Sequence, residues 1–264
     1  MSFDDQALSF DARAGLPAAA AADVARGVVE LARLAAGELL VEVGAGSGEI
    51  GCHLVDRVAY VGFDVAPAMV EVFHARAPHA RVVVADGDAA WPVADGAARA
   101  VFGSRCLHLL SLPHVLAELD RVGSPAGVTL LVGRVVRGDT SVRMWMRRQM
   151  RRLLREIGLE GGRGGGAIVP ALLELAGPGR ARALAPHVAA CWPVATSPAD
   201  ALAAWAGKDG LAGIAIDAAT KRTVLDRLRM RAIDEFGDLD RSVETVEEYV
   251  LSGVRLSRGT QHEE

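Results

Sequence analysis

Three carboxylates in the first third of the chain, Glu42, Asp64 and Asp88, each stand at or near the end of a short apolar run. After the first of them comes Gly44-Ala45-Gly46-Ser47-Gly48-Glu49-Ile50-Gly51, a stretch in which a strand can turn sharply into a helix. Such a turn presents backbone N–H groups and a helix N-terminus to a small polar ligand. The glycines can be parsed in two ways. Gly46-x-Gly48-x-x-Gly51 satisfies the dinucleotide fingerprint, whose backbone approaches a pyrophosphate. Glu42-x-Gly44-x-Gly46-x-Gly48 instead puts a carboxylate just ahead of the turn. That acid is unfavourable beside a pyrophosphate and suits a cationic ligand carrying an ammonium group. Asp64 falls 20 residues after Gly44, where a carboxylate accepts hydrogen bonds from both ribose hydroxyls. Both parses therefore predict a nucleoside ligand.

Among the seven histidines, His108 follows the fourth apolar run and is the one candidate for a general base, with a wall residue as the alternative. No H-E-x-x-H, paired-cysteine or clustered-carboxylate pattern occurs, so no metal is expected. Cys52, Cys106 and Cys191 are sparse and far apart, which fits a reducing compartment better than a disulfide framework.

The elements that must hold these groups alternate. Apolar runs at Leu39–Val43, 59–64, 81–85, 100–103 and 128–136 read as strands, with helices between them at 48–57, from Pro67 to Pro78, and at 113–122. Continuous apolar strands separated by helices indicate a buried, mostly parallel sheet covered on both faces. Further strands are expected at 188–194 and 246–256, and helices at 198–206 and 218–236. The whole reads as a doubly wound, seven-stranded, Rossmann-like α/β sheet. Residues 1–37 form an N-terminal helical lid segment, 38–138 and 182–264 the cofactor-binding core, and 139–181 an inserted helical cap.

Glu42-x-Gly-x-Gly-x-Gly is followed by Gly62-Phe63-Asp64-Val65-Ala66-Pro67-Ala68-Met69 and by Asp86-Gly87-Asp88-Ala89-Ala90-Trp91-Pro92. Cys106-Leu107-His108-Leu109-Leu110 and Glu118-Leu119-Asp120-Arg121-Val122-Gly123 then complete a series that resembles the class I S-adenosylmethionine-dependent methyltransferases over residues 38–136. The resemblance implies S-adenosyl-L-methionine as cofactor. Glu42 and the Gly44, Ala45, Gly46 and Gly48 backbone would hold its methionine portion, Asp64 its ribose, and Asp88 with Ala89 its adenine edge. Val65 and Met69 would pack on the adenine ring or lie in the core, Ser104 would face the cofactor, and Arg105 and His108 would face the acceptor. Phe10 and Arg13, in a leader similar to that of small-molecule methyltransferases, would close over the site. Two positions depart from the family pattern: Arg99 stands where an acid is usual, and Ser-Pro-Ala-Gly replaces a Pro-Gly-Gly turn.

In residues 141–158, Val142, Trp145, Met146, Met150, Leu153, Leu154 and Ile157 fall on one helical face, and arginines occupy much of the rest. Trp145 and Met146 are candidates to roof a substrate pocket. The arginines read as a solvated face, a lining for an anionic substrate, or a surface for an acidic partner. A formal charge of −4 and 5% aromatic content give no case for nucleic acid. The acidic start and the lack of a long uncharged apolar stretch predict a cytoplasmic protein without a membrane span. The expected reaction is methylation of a small organic metabolite, oxygen being the preferred acceptor atom, by a chain whose only expected protein partner is a second copy in a homodimer. An NAD(P)-dependent oxidoreductase and a non-catalytic cofactor-binding protein of the same fold are the alternatives.

Overall fold

The computed structural model describes residues 15–160 and 167–257. By their contacts they divide into two compact units. The first comprises residues up to Val135, Gly166–Ala190 and Tyr249 onward, and the second Val136–Gly165 and Cys191–Glu248. The division falls within three long strands.

The described elements run α1 (Ala18–Ala32), β1 (Leu39–Val43), α2 (Gly51–Leu54), β2 (Ala59–Asp64), α3 (Pro67–Arg76), β3 (Val82–Val84) and β4 (Ala98–Ser104). After a 3₁₀ turn at Leu107–Leu109 come α4 (Leu112–Val122), β5 (Val128–Arg137), α5 (Val142–Glu156), α6 (Ile168–Ala176) and β6 (Ala181–Thr196). The chain then continues through α7 (Pro198–Ala206), β7 (Gly210–Leu211), β8 (Ile214–Ala215), α8 (Ala218–Phe236) and β9 (Val243–Leu256). Seven strands form one sheet in the order β3-β2-β1-β4-β5-β9-β6. Strand β1 pairs in parallel with β2 on one side and β4 on the other, and the β2–β3 and β4–β5 pairs are parallel as well. The expected doubly wound α/β sheet is thus present. Its order reverses at β1, and a crevice opens at the carboxyl ends of the two strands that flank such a reversal.

Local chemistry accounts for most boundaries. Pro17 precedes α1, an alanine-rich helix whose Val24, Ala25, Val28 and Ala32 are fully buried, and Arg33 ends it in the left-handed region at φ 55°. Pro67 occupies the first turn of α3. Helix α6 starts two residues before Pro170, since a proline in the first turn removes only an N–H that has no helical partner. Against expectation, the helix after the glycine turn is a single turn, and strands β6 and β9 extend beyond their apolar centres. Hydrogen bonding to neighbouring strands carries both past the point at which sequence hydrophobicity fades. Arg99, in place of the usual acid, pairs with Glu38 (3.4 Å) and donates to the Gly127 carbonyl (3.1 Å), which joins the edge of β4 to the turn before β5.

The second unit has a core of its own. Val142, Met146, Met150, Leu153 and Leu154 of α5 pack with Ala201 and Leu202 of α7 and Val224, Leu228 and Ala232 of α8. Trp145 meets Phe236 edge-on at 5.0 Å. A capping box of Ser197 with Asp200 starts α7, and the Asp217 carboxylate caps α8. The unpredicted β7–β8 hairpin turns through Ala212 and Gly213, both at positive φ. No described helix is long and apolar enough to cross a membrane.

Tyr249 is fully buried, and a Cβ built on Gly133 in β5 would lie 2.0 Å from its hydroxyl. Gly133→Ala is therefore expected to lower stability by about 1–3 kcal/mol through overpacking. Denaturant unfolding reads this directly, and a wild-type midpoint would show that the ring can yield.

Candidate functional site

At the sheet's reversal point lies a cavity of about 390 Å³, walled by the ends of β1, β2 and β4 and the loops that follow them. Gly44, Gly46 and Gly48 all adopt positive φ, between 56° and 78°. At Gly44 a Cβ would meet the Cys106 side chain at 2.6 Å, whereas the space over Gly46 is open. The turn is thus pressed against protein on one side and bare toward the cavity on the other.

Glu42 is only 2% exposed beneath this turn. It accepts a hydrogen bond from the Tyr60 hydroxyl at 2.5 Å. Burial pushes its carboxyl up to about 8; Tyr60 opposes the rise, while Asp64 and Glu49 add to it. Burial and the neighbouring Glu42 in turn raise Tyr60 well above the usual phenol range. Asp64, at the end of β2, accepts from the Gly46 N–H (2.8 Å) and the Ala66 N–H (3.0 Å), one on each carboxylate oxygen. Each oxygen retains acceptor capacity toward the cavity that the residue lines.

The third carboxylate is held by its own loop. Asp88 accepts from the Ser111 N–H at 2.8 Å, and its own N–H donates to Asp86 at 2.9 Å. The 86–95 segment is clamped by the Glu118–Arg121 pair. Glu118 accepts from the Trp91 N–H (2.8 Å), and Arg121 donates to the Trp91 and Val93 carbonyls (3.0 and 2.8 Å) and pairs with Asp95. The hydrogen bond from Arg121 is the main cause holding Glu118 below the usual carboxylate range, and Arg121 is raised in return. Glu118 and Arg121 therefore position the loop that carries Asp88, and neither lines the cavity.

On the β4 side, Ser104 shares a hydrogen bond of 2.6 Å with Tyr249. Arg105 follows in the left-handed region at φ 60° and pairs with Glu49 at 2.7 Å. A non-glycine residue in that conformation at a cavity wall is a strained, over-determined feature. Glu49 also accepts a hydrogen bond from the Leu16 N–H, which ties the chain ahead of α1 to the glycine turn. Cys106 donates to the Val43 carbonyl at 2.9 Å, and burial pushes its thiol up to about 12.

Of the residues singled out from sequence, Glu42, Gly44, Ala45, Gly46, Asp64, Val65, Met69, Asp88, Ser104 and Arg105 line this cavity. Gly48 does not, because it packs on the Phe73 ring, where a Cβ would sit at 2.6 Å. Ala89 forms the turn behind Asp88, and its carbonyl faces His114 at 2.9 Å. His108 is exposed on the 3₁₀ turn and is not part of the wall, because Leu109 and Leu110 supply that surface instead. Met146 is fully buried and fills the second unit's core, and Trp145 packs edge-on against Phe236 there. Phe10 and Arg13 lie outside the described residues. Sequence reasoning missed Tyr60, Glu49 and Tyr249. Tyr60 had one signal, a hydroxyl-bearing side chain within an apolar strand, but Tyr249 had none. Among the described residues no group of three or more His, Cys, Asp or Glu side chains is placed to hold a metal.

Residues 40–127 match the model of a family described as "Methyltransferase domain". The match spans a third of the chain, from β1 to the turn before β5, and includes the glycine turn. Solved structures share its fold. A provisionally named type II methyltransferase from Anaeromyxobacter dehalogenans aligns at 16% identity over 92% of this chain and 96% of that one, with a TM-score of 0.57. A provisionally named methyltransferase from Bacillus halodurans C-125 aligns at 14% identity over 88% and 98%, with a TM-score of 0.54. The [4+2]-cyclase SpnF aligns at 19% identity over 90% and 82%, with a TM-score of 0.51. At such identities the likeness is one of fold. No curated protein sequence is similar enough to this chain to count as a relative.

The pH response of the domain follows from Glu42. Its carboxyl is raised from 4.5 to about 8, so the native domain binds that proton more tightly than the unfolded chain does. The contribution is fully present below about pH 4.5 and is lost as pH rises through about 8. Relative to Glu42→Gln, the wild-type protein should lose stability from pH 5 to pH 9 in denaturant unfolding. Parallel pH profiles would show that the carboxyl is not buried as described.

Proposed function

We propose that this protein transfers a methyl group from S-adenosylmethionine to a small organic acceptor. The observation that carries the reading is the meeting, in one cavity, of an open glycine turn with the Glu42 and Asp64 carboxylates. In this reading the turn backbone and Glu42 hold the methionine portion, Asp64 accepts from the ribose hydroxyls, and the Asp88 loop borders the adenine. Bound there, S-adenosylmethionine supplies an electrophilic methyl group on a sulfonium sulfur. The chain's own contribution is chiefly positioning, since in-line displacement depends on holding the acceptor atom at close range and in line. Arg105, fixed by Glu49, and Ser104, fixed by Tyr249, are the groups of the β4 wall that orient the acceptor. An oxygen acceptor stands first, because the Ser104 hydroxyl matches an acceptor hydroxyl as hydrogen-bond partner. His108, outside the wall, is not assigned as a base.

The competing dinucleotide parse is disfavoured by Gly51. A Cβ there would lie 2.6 Å from both the Glu42 carboxylate and the Tyr60 hydroxyl, so this glycine makes room for the buried acid rather than for a pyrophosphate. Burial keeps Glu42 mostly protonated at pH 7. An ammonium group held beside it favours the ionised form, so cofactor binding should release a proton and tighten as pH rises toward 8.5.

Calorimetric titration separates the possibilities. S-adenosylhomocysteine should bind and NAD should not, and Asp64→Ala should weaken binding by about 1–3 kcal/mol through lost hydrogen bonds. NAD binding alone would replace this reading with the oxidoreductase one. Cofactor binding with no turnover on a broad acceptor panel would favour a non-catalytic protein of the same fold.

A further inference from the structure

The arginines of α5 are not equivalent. In the row formed by Arg148 and Arg152, four residues apart, each has a carboxylate: Asp139 at 3.2 Å and Glu156 at 3.6 Å. In the neighbouring row of Arg143, Arg147 and Arg151, only Arg143 approaches one, Glu247 at 3.9 Å. Glu247 is buried and is already engaged by Arg137, at 2.6 and 3.4 Å. Among the described residues, the guanidinium groups of Arg147 and Arg151 have no ion-pair or hydrogen-bond partner, and the Arg151 Nε is buried without one. Partial burial of the Arg147 guanidinium, with the charges of Arg151 and Arg137 close by, holds it below the usual arginine range. Arg147 nevertheless remains open to solvent as a residue.

A solvated face would look like the first row, in which every charge is matched or free in water. The second row crowds like charges and desolvates part of them without compensation. Arg137, Arg143, Arg147 and Arg151 thus set four guanidiniums against the Glu247 carboxylate, a local excess of positive charge. That excess and the planar forks of arginine suit a multiply charged, tetrahedral oxyanion. We infer that Arg137, Arg147 and Arg151 of the second unit form a binding site for a phosphate or diphosphate group. The three arginines belong to the second unit. As an anion site, theirs stands without the methyltransferase reading.

The test is calorimetric titration of the full-length protein with inorganic pyrophosphate and with phenyl phosphate, at constant ionic strength. Pyrophosphate should bind, and Arg147→Gln and Arg151→Gln should each weaken it at least five-fold. Arg152→Gln, on the paired row, should leave it unchanged. Circular dichroism melting confirms that each variant is folded. Absence of binding, or an equal loss in Arg152→Gln that tracks net charge alone, would overturn the site. Tighter binding of phenyl phosphate than of pyrophosphate supports the site with an organic phosphate as its ligand, and the reverse order supports it with a free anion. Titration of S-adenosylhomocysteine on the same samples reads the methyltransferase proposal separately, because neither arginine lines the cavity of the first unit.

Discussion

The first unit depends on one buried acid. Glu42 sits within the sheet, on the strand where the order reverses, with its carboxyl out of water and, among the described residues, matched by the Tyr60 hydroxyl. An acid in that setting has to be given room, a donor and a covering layer. Gly51 provides the room, Tyr60 the donor, and the Gly44–Gly48 turn the cover. Replacing any of these with an ordinary aliphatic residue would leave either a clash or an unsatisfied carboxyl, and the latter is costly in a low-dielectric interior. The cavity is the outer surface of this arrangement.

Asp64 couples that centre to the cavity. Its carboxylate fastens the turn through the Gly46 N–H and its own loop through the Ala66 N–H, yet it keeps acceptor sites for a ligand. The remaining walls are fixed from further away. Tyr249 returns from the last strand to hold Ser104, and Arg121 pins the segment that carries Asp88. A site preorganised in this way leaves little to be ordered when a ligand arrives, which is where much of a binding cost usually falls. The raised carboxyl of Glu42 also means that the site is less negative at neutral pH than its three acids imply.

The second unit answers to different physics. Its helices close on a methionine- and leucine-rich core with capped ends, and its charge is arranged on one helix in two unlike rows. One row is neutralised by its neighbours, and the other retains its charge at a desolvation cost. The likeness of this chain to a cyclase as well as to methyltransferases fits a fold whose core is shared while its chemistry is set by the groups around the cavity.

Much of this was legible in the residues alone. Apolar runs alternating with helices determined the α/β sheet, because strands buried on both faces must be continuously apolar. Helices α7 and α8 were readable to the residue, since a serine or aspartate cap and a following glycine mark their ends. The cavity residues of β1 and β2 were readable from glycine spacing and acid position, which are local properties of the chain. Partnerships between distant residues were not. Tyr60 beneath Glu42, Tyr249 against Gly133 and α5 joined to α7 and α8 all depend on contacts between segments far apart in sequence, which no local pattern encodes. The exposure of His108 was decided in the same way, by which face of a short 3₁₀ turn met the wall. Sequence determined which strands and acids surround the site, because period and spacing are written locally. Only the tertiary structure decided which of those acids is buried and which arginines stand unmatched, because burial and pairing belong to the packed chain.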